Sequence, residues 1–219
     1  MHIGKTILAS LLGTMILSAC SDDDNGARYP SVFTEMADII SNSQAITDEL
    51  LDDYDHSYPL ANNLTGLKLE ANDTARCICI FERNENNTIK LYSCQKIVAP
   101  HPEKPSKFTK GIKRDSIFFH SIWRSGHYIN LHLQVLGKDQ AHYLHLIEDT
   151  LMANPDGTHT LYVELYHDQN NDMKAFRRDA FVSVPLRRYE QRGVMKKGDT
   201  VSITANTYDR GRQTWKMEY

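Results

Sequence analysis

The chain has 219 residues, of which 41% are hydrophobic and 24% are charged, and its formal net charge is −3. This is the composition of an ordinary globular protein with enough apolar surface for one large or two small domains. The sequence contains no block of Lys and Arg, which excludes a basic groove, so we expect no nucleic-acid partner.

Residues 1–19 have the three parts of a secretory signal peptide. A basic start precedes an apolar stretch from Thr6 to Leu17, and the small residue Ala19 stands just before Cys20. The stretch is shorter than the about 20 residues of a membrane-spanning helix. The ending is typical of a bacterial lipobox, which predicts cleavage before Cys20 and attachment to a membrane through lipid on that cysteine. The alternative is a secreted protein with a chance cysteine at the cleavage site.

Residues 20–28 form an acidic tract with the sequence Cys-Ser-Asp-Asp-Asp-Asn-Gly-Ala-Arg. The tract has too little apolar surface to build a core, so we expect a solvated tether. Serine and acidic residues after a lipidated cysteine also resemble the surface-export signal of Bacteroidetes lipoproteins. This resemblance implies an outer-membrane lipoprotein exposed on the cell surface.

Residues 29–98 consist of short alternating segments separated by Asn, Asp, Gly and Pro, a pattern typical of strands and turns. Five short strands in one block favour an OB-like small barrel. The predicted strands are Ser31 to Ile40, Ala45 to Leu51, His56 to Leu60, Thr74 to Glu82 and Thr88 to Val98.

Three cysteines, Cys77, Cys79 and Cys94, fall in the last two of these strands. A turn at residues 84–87 folds the second strand back along the first, and we expect Cys94 to lie opposite Cys77. A strained cross-strand disulfide and buried free thiols are both consistent with this placement. A three-thiolate metal site is a third alternative, but it lacks an obvious fourth ligand.

Residues 99–107 contain three prolines, which predict an extended and fairly stiff linker between two domains. Residues 108–219 then alternate again, with a hairpin expected around residues 124–127 and one or two helical turns after Pro185. The pattern predicts a β-sandwich of about seven strands over residues 108–219. The expected fold class is therefore all-β.

Several segments of the chain resemble the NigD-like lipoproteins of Bacteroidales. They are Ser121 to Leu133, Leu146-Ile-Glu-Asp, Leu165 to Asp172, Val184-Pro-Leu, Lys197-Gly-Asp and Asn206-Thr-Tyr. The resemblance implies an N-terminal OB-like barrel, a C-terminal β-sandwich and an association with bacteriocin immunity. It supplies no catalytic residues, and we expect neither enzymatic activity nor a cofactor.

Two patterns offer metal ligands without completing a metal site. Seven histidines are scattered over the predicted sandwich, which favours surface positions over a zinc or copper centre. Asp168, Asn170 and Asp172 begin like a calcium loop, but Met173 replaces the sixth-position glycine and Asp179 the twelfth-position glutamate. Asx residues also build turns on their own, so we expect no metal here.

Four Asp-Ser/Thr-apolar triplets resemble the O-glycosylation acceptor motif of exported Bacteroidetes proteins. Their acceptor residues are Thr74, Ser116, Thr150 and Thr200. An aspartate followed by a β-former is also a common way for a strand to begin, so both interpretations stay open.

The sequence as a whole favours a surface-displayed, non-catalytic binding module that acts on a protein or glycan ligand, with bacteriocin immunity as a specific role. An accessory subunit of an outer-membrane assembly is the alternative, and a metal-dependent enzyme ranks below both. Aromatic residues such as Tyr162, Tyr166 and Trp215 could form a binding face or cap the core. The sequence does not indicate the oligomeric state.

Overall fold

The computed structural model describes residues 31–63 and 66–219, so the predicted signal peptide, Cys20 and the acidic tether at residues 20–28 lie outside the described residues. These residues form one compact unit. The strands are β1 (Val32–Ser41), β2 (Thr47–Leu51), β3 (Ser57–Pro59), β4 (Thr74–Arg83), β5 (Ile89–Lys96), β6 (Phe118–Ser125), β7 (Tyr128–Gly137), β8 (Tyr143–Ala153), β9 (His159–Asp168), β10 (Phe176–Pro185), β11 (Thr200–Thr207) and β12 (Gly211–Glu218). A 3-10 turn spans Pro105–Lys107 and one short helix, α1, spans Arg187–Gln191.

The first five strands form one sheet, here called the N-terminal sheet, in the order β3-β2-β1-β4-β5. Ala37 and Ile39 of β1 and Cys77 and Phe81 of β4 point to one side and form a buried core. After β3, a short parallel bridge joins Leu60 to Ile89 and brings the two edges of the sheet together. All five predicted strands are confirmed, whereas the OB-like character of the domain stays a prediction.

The other seven strands form the predicted sandwich. One sheet has the order β10-β7-β6 and the other has the order β12-β11-β9-β8. Along each strand, residues that face the core alternate with residues that face solvent, because side chains of a β-strand point to opposite faces in turn. The core consists mainly of Leu131, Leu133, Leu161, Val163, Val182, Val184, Val201 and Ile203.

The proline-rich segment at residues 99–107 is extended up to Lys104, ends in the 3-10 turn Pro105–Lys107 and lies against the sandwich. Just before it, the Val98 amide donates to the Phe181 carbonyl at 3.2 Å. Within it, the Glu103 amide donates to Leu146 at 3.0 Å, and the Glu148 amide donates back to Glu103 at 2.8 Å. The segment is thus fixed to the sandwich surface, while the predicted domain boundaries themselves stay a prediction.

The register of β4 and β5 corrects one prediction. Cys94 lies opposite Cys79, and Cys77 faces Lys96 instead. A bulge between Ile80 and Phe81 shifts the register by one residue between the pairs near the turn and the pairs beyond it. Because of this shift, Cys94 faces Cys79. The predicted pairing of Cys94 with Cys77 is therefore wrong.

Candidate functional site

The N-terminal sheet meets the sandwich through a buried ion pair. The Arg76 guanidinium, only 5% exposed, donates to both carboxylate oxygens of Asp53, one of them at 2.9 Å. Arg76 also contacts Ser183 of β10 at 3.4 Å and stacks over the Tyr128 ring of β7 at 3.8 Å. One side chain from β4 thus binds the loop after β2 and both facing strands of the sandwich.

The surrounding groups compensate the burial of these charges. Burial opposes the charge on Arg76, but its hydrogen bonds to Asp53 outweigh this effect and raise its pKa. Asp38 lies 3.5 Å from the same guanidinium and accepts a hydrogen bond from Tyr128 at 2.8 Å, yet burial raises the Asp38 pKa. The junction is therefore a buried polar layer in which Asp53 is fully paired with Arg76, while the Asp38 Oδ1 atom has the ionic contact with Arg76 but no hydrogen bond.

Residues 52–56, here called the docking loop, connect β2 to β3 and lie against the sandwich. The Asp52 carboxylate shapes the loop by accepting the Tyr54 and His56 amides, each at 2.9 Å. At its centre, the Asp53 carbonyl approaches Gly126, where a Cβ would lie only 1.6 Å from that oxygen. Gly126 has a φ of +48°, so both the conformation and the contact require glycine.

Asp55 ties the docking loop to the helix end of the sandwich. Its carboxylate accepts hydrogen bonds from Arg187, which lowers the Asp55 pKa. His127 lies between Asp55 at 3.0 Å and Glu190 at 2.5 Å, and Tyr219 donates to the same glutamate. These contacts hold the loop on the sandwich from a second side.

A cleft of about 630 Å³ opens beside this junction, and we call it the junction cleft. The docking loop forms one wall, the sandwich residues Trp123, Ser125 and Phe181 form the other, and β1 and β4 form the floor. Tyr54 is 67% exposed at its rim. The residues that line the junction cleft are Thr34, Glu35, Met36, Asp52, Asp53, Tyr54, His56, Tyr58, Ile78, Arg83, Trp123, Ser125 and Phe181. Four aromatic side chains share this lining with seven polar or charged residues, so the cleft offers a ligand both stacking surfaces and hydrogen-bonding groups.

A second cavity, of about 760 Å³, lies at the same junction beyond the Arg76 layer. Asp38, Arg76 and Tyr128 line it together with Pro100 and His101 of the proline-rich segment. Burial lowers the pKa of His101. This cavity carries fewer aromatic side chains than the junction cleft, which makes the cleft the stronger candidate for a ligand.

The four predicted glycosylation acceptors occupy different environments. Thr74 and Thr150 are exposed, whereas Ser116 and Thr200 are half-buried. Three of the preceding aspartates accept backbone amides: Asp199 accepts the His159 amide at 2.7 Å, Asp115 the Gln169 amide at 2.7 Å, and Asp73 the Thr74 amide at 2.8 Å. These bonds support the strand-start interpretation for three triplets, and glycosylation stays a prediction.

The sandwich histidines do not converge. His120 stacks on His132, which contacts Asp179 at 2.8 Å, while His142 contacts His167 at 2.9 Å elsewhere. Over the described part of the chain, no group of three or more His, Cys, Asp or Glu residues has the arrangement of a metal site.

The calcium-like sequence has a structural use. Asp172 is buried and accepts the amides of Lys138 at 2.6 Å, Met173 at 2.9 Å and Asp139 at 3.3 Å. Burial opposes its ionisation, but these backbone hydrogen bonds dominate and lower its pKa to about 2. Asp172 thereby fixes the turn between β7 and β8.

The three cysteines are free thiols inside the N-terminal sheet. The sulfur atoms of Cys79 and Cys94 are 3.6 Å apart. Contacts with the thiols of Cys77 and Cys79 lower the pKa of Cys94. Contacts with the thiols of Cys77 and Cys94 raise the pKa of Cys79.

The aromatic residues singled out in the sequence do not form the cleft. Trp215 stacks on Phe119 at 4.0 Å and caps the sandwich core, and Tyr166 stacks on Phe108 on the outer face. The local sequence around Trp123 and Tyr54 does not predict a shared cleft, because nothing in it shows that the docking loop and the β6–β7 hairpin meet. A tyrosine inside an acidic turn, Asp52 to Asp55, was the available signal.

The fold and the junction define an all-β protein in which a five-stranded sheet docks on a seven-stranded sandwich. Residues 99–219 match the NigD-like C-terminal beta sandwich domain. The chain therefore belongs to the NigD-like family, which confirms the resemblance seen in its sequence. A search of curated proteins finds no match.

Solved structures show the same architecture. The chain is similar to a NigD-like immunity protein from Bacteroides caccae, with 25% identity, a TM-score of 0.69 and coverage of 87% of this chain and 98% of that one. A protein of unknown function from Bacteroides vulgatus has 18% identity and a TM-score of 0.63 over 86% of this chain and 91% of its own. A protein described as toxin-related from Parabacteroides distasonis has 17% identity and a TM-score of 0.60, over 86% and 93%. The last two likenesses concern the fold alone.

The described residues contain no helix that is both long enough and apolar enough to span a membrane.

Proposed function

We propose that the protein is a non-catalytic binding protein and that the junction cleft is its ligand site. The observation that carries this proposal is the cleft itself, in which Tyr54, Trp123 and Phe181 surround a floor of strand residues. Aromatic side chains dominate the energetics of binding sites because each buries a large area at a small cost in conformational entropy.

The polar groups around the cleft favour binding over catalysis. Asp53 is neutralised by Arg76, and Asp52 is engaged by the Tyr54 and His56 amides of its own loop. These bonds fix the cleft before a ligand arrives, and preorganisation of this kind strengthens binding. His56 also contacts Asp52 at 3.0 Å, but its side chain is 66% exposed to water, unlike the shielded acid–base pair of a typical active site.

Within this proposal, bacteriocin immunity is the role that the comparisons favour. The family match covers the sandwich, and the immunity protein from Bacteroides caccae has the same architecture over nearly its whole length. An immunity protein must recognise a toxin or the component that the toxin attacks, and the junction cleft provides such a surface.

A lipid anchor at Cys20 and display on the cell surface complete the proposal. Metabolic labelling with a palmitate analogue tests the anchor, with Cys20→Ser as the control that should lose the label. Protease treatment of intact cells tests the exposure, because a surface protein is digested while a periplasmic one is protected.

The decisive experiment compares hosts that produce the wild type, Trp123→Ala, Tyr143→Ala or no protein. Tyr143 is 57% exposed and lies outside the cleft, so it is the matched aromatic control. We expect deletion and Trp123→Ala to sensitise the host to bacteriocins of related strains, and Tyr143→Ala to protect like the wild type. Unchanged sensitivity on deletion contradicts the immunity role, and co-purification with an outer-membrane transporter would favour the accessory-subunit alternative.

A further inference from the structure

Strand β1 is paired on both sides along only part of its length. It pairs with β4 from Val32 to Ile40, but with β2 only from Asp38 to Ser41, because β2 ends at Leu51. On the β2 side, therefore, no described residue pairs with the backbone of residues 32–37.

The hydrogen-bonding phase of β1 shows which groups are open. The Ser41 amide donates to the Asp73 carbonyl of the segment that leads into β4. In an antiparallel ladder, both backbone groups of one residue point to the same neighbour and the direction alternates along the strand. Because the β1–β4 register has no shift, the odd-numbered residues bond to β4. The amides and carbonyls of Val32, Thr34 and Met36 thus point to the open edge.

This open edge coincides with the junction cleft. Thr34, Glu35 and Met36 are three consecutive residues of the cleft lining. The docking loop closes one end, where β2 stops, and Trp123 and Phe181 stand along the sandwich side. A single extended strand placed beside residues 32–37 would continue the line of β2 beyond Leu51.

On this basis, and resting on the proposed function of the cleft, we infer that the junction cleft binds an extended polypeptide segment of a partner protein as an added strand along residues 32–37 of β1. The open amides and carbonyls of β1 recur at every second residue, and the backbone of another extended chain can form hydrogen bonds with all of them. Strand addition of this kind is a general mode of peptide recognition. At about 3.4 Å per residue, the open stretch accommodates about six residues.

The side chains beside this edge define the sequence of the segment. Met36 and its cross-strand neighbour Ile78 face the sandwich side with Phe181, so every second residue of the segment packs as an apolar side chain there. Glu35 is exposed and points to the other face of β1. The Glu35 carboxylate favours one lysine or arginine in the segment, at a position between the apolar ones. The bound segment therefore alternates apolar residues with polar or basic residues.

The test uses a displayed library of random heptapeptides and the purified protein from Cys20→Ser. Selected peptides are synthesised, and calorimetry measures their affinities for the Cys20→Ser protein and for the same protein with Thr34→Pro, Trp123→Ala or Tyr143→Ala. Thr34→Pro removes an amide that β4 does not use, and proline is tolerated at such edge positions, so the variant should fold. Trp123→Ala removes a wall without touching the backbone and serves as the independent second variant.

We expect alternating peptides with a basic residue, and about a tenfold loss of affinity in Thr34→Pro and in Trp123→Ala, because each variant removes one principal contact. Tyr143→Ala should bind like the wild type, and Glu35→Lys should select acidic residues in place of basic ones. Peptide binding that is unchanged in Thr34→Pro, or a library that yields no binder, overturns the inference. If Trp123→Ala still loses immunity in cells, the proposed function stands while strand addition fails.

Amide hydrogen exchange measures the same edge directly. In the free protein the Thr34 and Met36 amides should exchange faster than those of Glu35 and Ala37, and peptide should protect them. If they are already protected in the chain that starts at residue 20, but not in one that starts at residue 31, the chain's own N-terminal segment is the occupant and the inference is wrong.

Discussion

At the scale of the residue, Arg76 has the largest expected effect on stability. It is buried beside Asp53 and Asp38, so Arg76→Met leaves two carboxylates without their counter-charge. Removing one partner of a buried ion pair costs about 3–5 kcal/mol of unfolding free energy. Urea unfolding should show a loss of this size, against about 1 kcal/mol for Lys104→Met, which breaks a pair between the exposed Lys104 and the half-buried Glu148. Equal effects of the two variants would contradict the buried role of Arg76.

Asp172 makes the stability of the turn after β7 depend on pH. Its pKa of about 2 in the folded protein lies below the about 3.9 of an unfolded aspartate, so the carboxylate stabilises the fold above about pH 4. That contribution is lost as the pH falls through 2. Asp172→Asn should therefore lower the melting temperature at pH 7, and the difference from the wild type should shrink between pH 4 and pH 2. Asp139→Asn, on the exposed side of the same turn, is the control and should show no such trend.

The thiols of the N-terminal sheet should form one specific disulfide under oxidation. Cys94 is the more exposed partner and its pKa is lowered, so its thiolate attacks oxidised glutathione and releases one glutathione thiolate. Cys79 then displaces the second glutathione, which closes a Cys79–Cys94 bond. Peptide mass mapping after oxidation should find this link in the wild type and in Cys77→Ser. A dominant link to Cys77 would contradict the register of β4 and β5.

At the scale of the element, Gly126 determines how the β6–β7 hairpin meets the docking loop. Gly126→Ala places a methyl group on the Asp53 carbonyl and also strains a backbone with positive φ. Gly157→Ala has a φ of +81° but open space around it, so it isolates the conformational cost of about 1–2 kcal/mol. We expect Gly126→Ala to lose more unfolding free energy than Gly157→Ala and to bind selected peptides more weakly. Equal losses would show that the docking loop moves freely.

At the scale of the whole molecule, the N-terminal sheet and the sandwich should unfold together. The Arg76 layer, the Asp55–Arg187 pair and the Val98 bridge to β10 all cross between them. Calorimetry should therefore show one transition whose calorimetric and van't Hoff enthalpies agree. The double variant Asp55→Ala/Arg76→Met should broaden or split this transition. Two transitions in the wild type would contradict the coupling.

The strands themselves could be predicted from the sequence, because burial on one face imposes a period of two that local residues record. In β7, for example, Leu131, Leu133 and Val135 are buried, whereas His132 and Gln134 between them are half-buried. The register of Cys94 could not be predicted, because a bulge shifts it and a bulge is set by contacts across strands.

The sequence by itself determined the all-β class, the positions of the five N-terminal strands and of the β6–β7 hairpin within a few residues, and the family, since each depends on local periodicity or on contiguous motifs. Tertiary structure alone decided the site. Trp123 and Tyr54 meet across a cleft because Arg76 joins Asp53 to the sandwich, and the edge of β1 is open because β2 ends early. Contacts between residues far apart in the chain leave no local pattern, so the proposed binding surface could not be predicted from the sequence, whereas the lipid anchor at Cys20 stays a sequence-based prediction.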